Sequence, residues 1–318
     1  DDPSPPAAAR AASLRLDDDA LDPWARVPTA LDLALEAGPP RVDRRGRSLG
    51  ILGGIYGAFT VWAYFAWYHG VDTLPDFTVG GDGLFGEETY AGGSDKLGHF
   101  WANLQISRAG ARLLRWGGWS ARDAALISST LSAIYFAFVE VKDGFYYQFS
   151  YGDLGGNTLG AAFAVALEMS PRLDELLDFR VEYWPSPAYL DVLRGEPGSE
   201  INTVNVAEDY SGQRYLLALH LGALAPATPA WRWSRWVDVV AGFHSDKYKP
   251  DPVPSDGVVR TQDLYLGLSL NAQGIWDDLW GGPGSARTLR KLGHGLFEAM
   301  NLPFTSLPIA EATRSPDR

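Results

Sequence analysis

Three short polar stretches of this sequence contain the residue types that hold metal ions or move protons. Within each stretch, residues that lie three or four positions apart share one face of a helix. The only histidine of the set, His99, lies four positions after the carboxylate of Asp95. In chain order the residues are Asp95, Lys96 and His99; Glu140 and Asp143; and Ser150, Asp153 and Asn157.

Two chemistries use the imidazole of His99 together with carboxylates. Carboxylate oxygens and one imidazole suit a divalent cation such as Zn²⁺, Mg²⁺ or Mn²⁺. The candidate metal ligands are His99, Glu140 and Asp153. A histidine–carboxylate pair could instead act as a general base beside a serine. The candidate catalytic residues are His99, Asp95, Glu140, Asp153 and Ser150.

A third chemistry and a purely structural interpretation are also open. Lys96 and Lys142 could bind an anionic headgroup or a phosphate. Alternatively, Ser150 and Asp153 form a capping-box pattern, worth about 1 kcal/mol to a helix start. No HExxH, GxSxG or Walker pattern occurs that would specify a reaction. His99 best distinguishes a chemical site from a purely structural network, because neither a cap nor a turn needs an imidazole.

Four predicted helices position these stretches. They cover Gly50–Tyr68, Ser94–Trp116, Asp123–Val141 and Ser150–Met169. If the helices alternate up and down, the start of the second, the end of the third and the start of the fourth meet at one end. The sequence therefore predicts a single convergent polar site.

The first predicted helix has the composition of a membrane segment. Its nineteen residues carry no formal charge, which is near the length that crosses a bilayer. Trp62, Tyr64, Trp67 and Tyr68 crowd its C-terminal end, as interfacial aromatic residues do. The alternative is a buried core helix in a soluble bundle.

The C-terminal part of the chain shows a pattern of strands instead of long helices. Apolar residues alternate over Arg214–Leu224, Trp236–His244 and Gln262–Asn271, which predicts a small sheet, and a helix is expected near Ala286–Met300. The sequence thus predicts an α+β protein that is mainly α. A mobile tail (1–48) precedes a four-helix membrane-associated bundle with the polar cluster (49–172), and a small antiparallel or mixed β-containing region (173–318) follows.

Composition limits the classes of function. The net charge of −12 and the pI near 4.8 argue against nucleic acid, whose phosphates require a basic surface. The absence of cysteine removes disulfides, thiolate metal sites and a cysteine nucleophile. A mean hydropathy of −0.12 restricts any membrane-spanning part to a minority of the chain. The first residues lack Met and an apolar leader, so we expect that a signal peptide has been removed.

Several motifs in combination resemble a known family. They are Asp95-Lys96-Leu97-Gly98-His99-Phe100, Glu140 with Asp143-Gly144-Phe145, and Phe149-Ser150 with Asp153-Leu154, Asn157 and Gly160. They look like the domain-of-unknown-function 2279 family of predicted bacterial periplasmic lipoproteins, and more distantly like VanZ-like membrane proteins. The resemblance implies an envelope location facing the periplasm and supplies no reaction.

We therefore expect an envelope protein that binds a lipid, a glycan precursor or a protein partner at the polar end of its bundle. The expected partners are membrane lipid or envelope proteins, and not nucleic acid. Two alternatives remain open. One is a membrane-embedded hydrolase or transferase, dependent on a metal or on a His–carboxylate pair, acting on a lipid-linked substrate. The other is a soluble periplasmic scaffold.

Overall fold

The computed structural model describes residues 43–80, 83–86, 89–196, 201, 203–224, 228–250, 257–280 and 287–315. Most of the predicted mobile tail, residues 1–42, lies outside the described residues. The described chain is α+β and mainly α, as predicted. Long helices occupy the first part, and a curved sheet with shorter helices occupies the second.

Four long helices lie close to the predicted positions. They are α1 (Arg45–Ala63, continued by a π-helical turn Tyr64–Tyr68), α2 (Ser94–Trp116), α3 (Ala121–Tyr146) and α4 (Tyr151–Met169). Serines fix two of the starts, since Ser120 Oγ accepts from Asp123 N at 3.0 Å and Ser150 Oγ accepts from Asp153 N at 3.2 Å. Helix α3 ends at Tyr146, one turn beyond the predicted Val141, so Glu140 and Asp143 lie inside the helix.

Helices α2 and α4 approach each other through glycines. A Cβ added at Gly156 would lie 2.6 Å from the carbonyl oxygen of Lys96, and one at Gly160 would lie 2.2 Å from that of Phe100. Only glycine permits this backbone separation. Helix α3 packs against both α2 and α4, and α1 places Leu52 against Ala111 and Leu114 of α2.

The outer sides of α1 and α3 are apolar and exposed. Arg45–Tyr68 and Ala121–Tyr146 are both long and apolar enough to cross a membrane by length and composition, although two such helices are weak evidence by themselves. Few residues of the apolar window in α1 are buried, which does not fit the alternative of a buried core helix. Exposed side chains include Ile55, Val61, Phe65, Ile134 and Phe138.

Six strands form a curved sheet in the order β7-β3-β4-β5-β6-β8. Neighbours are antiparallel except β3 and β7, which are parallel. Three of these strands were expected from alternation, whereas β3, β7 and β8 were not. The strands are β3 (Leu177–Tyr183), β4 (Gln213–His220), β5 (Val237–Asp246), β6 (Thr261–Leu270), β7 (Met300–Asn301) and β8 (Ser306–Arg314).

Shorter elements complete the described chain. A two-stranded parallel pair joins β1 (Val79–Gly80) to β2 (Phe149–Ser150), immediately before α4. The shorter helices are interspersed along the chain with the strands of the sheet: α5 (Pro171–Leu176), α6 (Pro187–Arg194), α7 (Leu221–Leu224), α8 (Ala272–Trp280) and α9 (Arg287–Ala299). The last of these agrees with the helix predicted near Ala286–Met300.

The two faces of the sheet have different roles. Phe179 and Val181 of β3 and Tyr215 of β4 pack against Leu104 of α2 and Leu167 of α4, which forms the core between helices and sheet. The opposite face lies on the inner side of the curved sheet, where charged residues lie beside a cluster of apolar side chains. Glu182 on β3 accepts from the backbone N–H of Ser306 on β8, so the two ends of the sheet come together. The sheet thereby supports α2 and α4 from one side.

Candidate functional site

The three polar stretches meet where α2, α3 and α4 lie side by side. His99 lies in the second turn of α2, Glu140 in the last turns of α3, and Asp153 and Asn157 in the first two turns of α4. The close approach of α2 and α4 brings the backbone of Lys96 against Gly156. The polar side chains at this end of the two helices therefore lie close together.

An asparagine connects the imidazole to the buried carboxylate. Asn157 Oδ1 lies 3.1 Å from His99 Nδ1, and Asn157 Nδ2 donates to Glu140 Oε1 at 2.9 Å. His99 Nδ1 also lies 3.4 Å from Glu140 Oε1. Because an amide oxygen only accepts hydrogen bonds, the first contact puts the proton on Nδ1 and leaves the lone pair on Nε2.

Lys96 places a buried positive charge at the edge of this group. Its Nζ lies 2.9 Å from Asp95 Oδ2 and 2.9 Å from Asp153 Oδ1, and both Lys96 and Asp95 are buried. Burying an ion pair is favourable only when its hydrogen-bonding capacity is met. Because the Lys96 ammonium contacts Asp153 directly, it holds that carboxylate next to His99.

Two other predicted residues have contacts of their own. Ser150 Oγ caps α4, and the residue is buried, so its hydroxyl serves the helix start. Asp143 Oδ1 accepts from the hydroxyl of Tyr68 at 2.6 Å, and Lys142 places its Nζ 3.4 Å from the centre of the Tyr68 ring. These contacts join the end of α1 to the end of α3.

Sequence reasoning missed two members of the network. Asn103 Nδ2 donates to Asn157 Oδ1 at 2.5 Å, and Ser132 Oγ donates to Asn103 Oδ1 at 2.7 Å. Asn103 was within reach of inference, because it lies four residues after His99 on the same helix face. Ser132 was not, because nothing in the sequence distinguishes it from Ser128 and Ser129 of the same apolar helix.

The cluster has the composition of a divalent metal site. One ligand atom each from His99, Glu140 and Asp153 lies within 4.8 Å of the other two. Glu140 is buried, whereas His99 and Asp153 are partly exposed. One nitrogen and two carboxylate oxygens are a donor set that zinc and manganese accept.

The surroundings set the protonation of the two partly exposed members. Burial lowers the pKa of His99, since removal from water disfavours the imidazolium, although Asp153 opposes this. Burial alone would raise the pKa of Asp153, but its electrostatic interactions with His99 and Lys96 and the hydrogen bonds that it accepts from Lys96 and Ser150 outweigh burial, and the pKa is lowered. A neutral imidazole beside an ionised carboxylate is the protonation state in which both groups can coordinate a cation.

A second polar network is buried inside the curved sheet. His220 Nδ1 lies 2.8 Å from Asp238 Oδ1, and its Nε2 lies 3.1 Å from Asp178 Oδ2. Arg180 donates to both aspartates. These charge-assisted contacts between three strands give His220 a structural role.

Comparison with known proteins gives one match. Residues 81–169 match the model of a family described as Predicted periplasmic lipoprotein (DUF2279). No curated protein and no solved structure is significantly similar to the chain. The more distant likeness to VanZ-like proteins has no support from these comparisons.

The matched segment runs from the loop before α2 to the end of α4, so it contains every residue of the polar cluster. The protein is membrane-associated in the bacterial cell envelope and faces the periplasm, in agreement with the location expected from the sequence. Over residues 81–169 the chain is similar to the predicted periplasmic lipoprotein family DUF2279.

Proposed function

We propose that this envelope protein binds a divalent cation through His99, Glu140 and Asp153. The observation that supports this is the convergence of one ligand atom from each of three helices within 4.8 Å. Ligand atoms around a tetrahedral zinc ion lie roughly 3.4 Å apart, given metal–ligand distances of about 2.1 Å. Modest side-chain rotations would therefore bring the three atoms onto one ion.

The charge of the cluster favours a cation over an anionic headgroup. Its acidic residues are Asp95, Glu140, Asp143 and Asp153, against two basic residues, Lys96 and Lys142. Lys96 is already paired with two of the acids, and Lys142 packs over Tyr68. A phosphate would therefore meet four acidic groups and two lysines that already have partners, whereas carboxylate oxygens are the ligands of a divalent ion.

Asn157 has the role of a group that orients the ligands. It contacts both His99 and Glu140, and Asn103 supports it from behind. Partners of this kind fix ring orientation in metal sites, and their loss typically lowers metal affinity by about 10- to 100-fold. We expect Asn157→Ala to weaken metal binding without removing a ligand.

Titration of the metal-free full chain with Zn²⁺ and with Mn²⁺ tests the proposal. We expect one tightly bound ion per chain, and we expect His99→Ala and Asp153→Asn each to weaken binding by at least about 10- to 100-fold, since a direct ligand contributes no less than an orienting group. The matched control is His69→Ala, which removes an exposed histidine that follows α1.

Two results would contradict the proposal. One is a folded wild-type chain that retains no stoichiometric ion at either metal. The other is equal affinity in His99→Ala, His69→Ala and the wild type, which would show that bound ions sit on other acidic groups. Circular dichroism of each variant establishes that the helices are intact.

A second candidate function, hydrolysis or group transfer on a lipid-linked substrate, rests on the exposure of the cluster. His99 and Asp153 are partly exposed while Glu140 is buried, so one side of a bound ion would remain open, as catalytic metal sites require. The test is release of phosphate from a lipid phosphate ester in detergent micelles. Turnover that depends on added metal and on His99 supports this function, and binding without turnover leaves cation binding alone.

The partner that we propose for the outer sides of α1 and α3 is membrane lipid. Their exposed apolar side chains fit hydrocarbon. They fit less well with the alternative of a scaffold that stays monodisperse without detergent. Solubility of the purified chain on removal of detergent separates the two.

A further inference from the structure

A second exposed apolar surface lies on the C-terminal part of the chain. It combines a 3₁₀ turn before β5 (Pro229–Trp236) with helices α8 and α9. Its most exposed members are leucines, at 71% for Leu279, 66% for Leu292 and 55% for Leu296. We call it the Trp–Leu surface, defined by Trp231, Trp233, Trp236, Leu279, Leu289, Leu292 and Leu296.

Helix α9 has two faces with different partners. Leu289, Leu292 and Leu296 recur at spacings of three and four and therefore lie on one side, which is exposed. On the other side, Glu298 is buried and paired with Arg108 and Arg112 of α2. The helix is therefore held against the protein by its polar side and presents its apolar side outward, which is the reverse of an ordinary surface helix.

Direct contacts hold the 3₁₀ turn and the helices together. Trp236 Nε1 donates to Asp278 Oδ2 at 2.8 Å, and Arg235 Nη1 lies 2.8 Å from Asp278 Oδ1. The backbone of Gly293 in α9 approaches the ring of Trp276 in α8 closely enough to exclude a Cβ. The exposed tryptophans and leucines thus belong to adjoining elements.

The charge of these elements is opposite to that of the whole chain. Their basic residues are Arg232, Arg235, Arg287, Arg290 and Lys291, and their acidic residues are Asp277, Asp278 and Glu298. All three acids are in ion pairs and nearly buried. Arg232 and Lys291 are exposed. A chain of net charge −12 therefore presents local positive charge beside its exposed tryptophans and leucines.

We propose that the Trp–Leu surface binds the interfacial region of an anionic phospholipid membrane. Tryptophan is enriched at the level of lipid headgroups. A helix with a leucine stripe and basic flanks lies in that interface and is attracted by anionic lipid. This contact involves residues other than those of α1, α3 and the polar cluster, so it does not depend on cation binding.

The absence of cysteine allows a site-specific test on the full chain. A single cysteine at Leu292→Cys carries an environment-sensitive fluorophore, and the matched control carries it at Leu193→Cys. Leu193 is also exposed but lies on α6, beyond the opposite end of the sheet. Both proteins are reconstituted into phosphatidylcholine vesicles with and without about 30% phosphatidylglycerol, an anionic lipid, and brominated lipid serves as the quencher.

We expect a blue shift and quenching at position 292 in the vesicles that contain phosphatidylglycerol, and neither at position 193. Adding Arg232→Glu and Lys291→Glu should diminish the signal at 292, as should raised salt. Unchanged emission at 292 in both vesicles would overturn the proposal. So would equal quenching at 193 and 292, and so would a blue shift without vesicles that grows with protein concentration, which would indicate a second copy of the chain.

Discussion

The pKa values of two histidines of this protein are shifted in opposite directions by their surroundings. His99 contacts an amide and loses water, so its pKa is lowered. His220 lies between two aspartates, whose charges overcome the effect of burial and raise its pKa to about 9. The same side chain is thus suited to coordinate a cation in one place and to act as a fixed positive charge in the other.

The stability of the sheet should therefore depend on pH through His220. Its folded pKa, about 9, lies above the unfolded value of 6.5, so its contribution is fully present below pH 6.5 and is lost as the pH rises through 9. The shift corresponds to about 3 kcal/mol. Groups facing the ring are Asp178, Asp238 and Asn271, with Arg180 paired to both aspartates.

Urea unfolding between pH 6 and pH 10 measures this effect. We expect the free energy of unfolding to fall with rising pH in the wild type and in the exposed control His69→Gln. In His220→Gln that fall should be smaller than in the wild type, and stability should be lower at pH 6. An equal slope in all three proteins would show that other groups are responsible.

At the scale of elements, the approach of α2 and α4 decides whether the cluster forms. Gly152, Gly156 and Gly160 recur at every fourth residue of α4, and the structure places the last two against the backbone of α2. A wider separation would withdraw Asn157 and Asp153 from His99. The geometry of the site therefore depends on the spacing of the glycines in α4.

Gly160→Ala should destabilise the protein, because its Cβ would lie 2.2 Å from the carbonyl oxygen of Phe100, a backbone atom that cannot rotate away. We expect a cost of about 1–3 kcal/mol or more. Gly155→Ala is the matched control in the same helix, since its Cβ meets nothing within 4 Å in the described part of the chain. There we expect a gain of up to about 1 kcal/mol.

Chemical unfolding followed by circular dichroism compares these two alanine variants directly. Metal affinity adds an independent reading, since a forced separation of α2 and α4 should weaken binding in Gly160→Ala alone. Equal stabilities of the two variants would mean that the helices can move apart without cost.

At the scale of the molecule, α2 connects the helices to the sheet region through one arginine. Arg108 is buried and forms ion pairs with Glu168 of α4, Asp174 of α5 and Glu298 of α9. The carboxylates of Asp174 and Glu298 belong to the part of the chain predicted as a separate C-terminal region. Together with the packing of α2 on β3 and β4, this predicts that the two regions unfold together.

Glu298→Gln should expose that coupling. Removing one charge from a buried pair typically costs about 3–5 kcal/mol, and Arg112 loses its partner as well. The control is Asp191→Asn, which removes the exposed Arg194–Asp191 pair and should cost less than about 1 kcal/mol. We expect helix dichroism and tryptophan fluorescence to shift together in Glu298→Gln. Separate transitions would contradict a single cooperative unit.

The sequence by itself determined the local elements of this protein. Caps such as Ser150 and runs of apolar residues locate the four long helices, and alternation locates β4, β5 and β6, because these signals depend on near neighbours. Spacing also selected the residues of the polar cluster, since helix order brings their ends together. The family match, which the motifs around His99 indicated, belongs to this local information.

Only the tertiary structure decided the contacts between distant segments. Strand β3 alternates charged and apolar residues, which normally indicates a solvent-facing side, yet Asp178, Arg180 and Glu182 are buried because the sheet curls around them. Strand β8 contains Pro308, which argues against a strand except at an edge, and it lies at the edge. The pairing of Arg108 with Glu298 likewise follows from packing across 190 residues of chain, a separation over which periodicity carries no information.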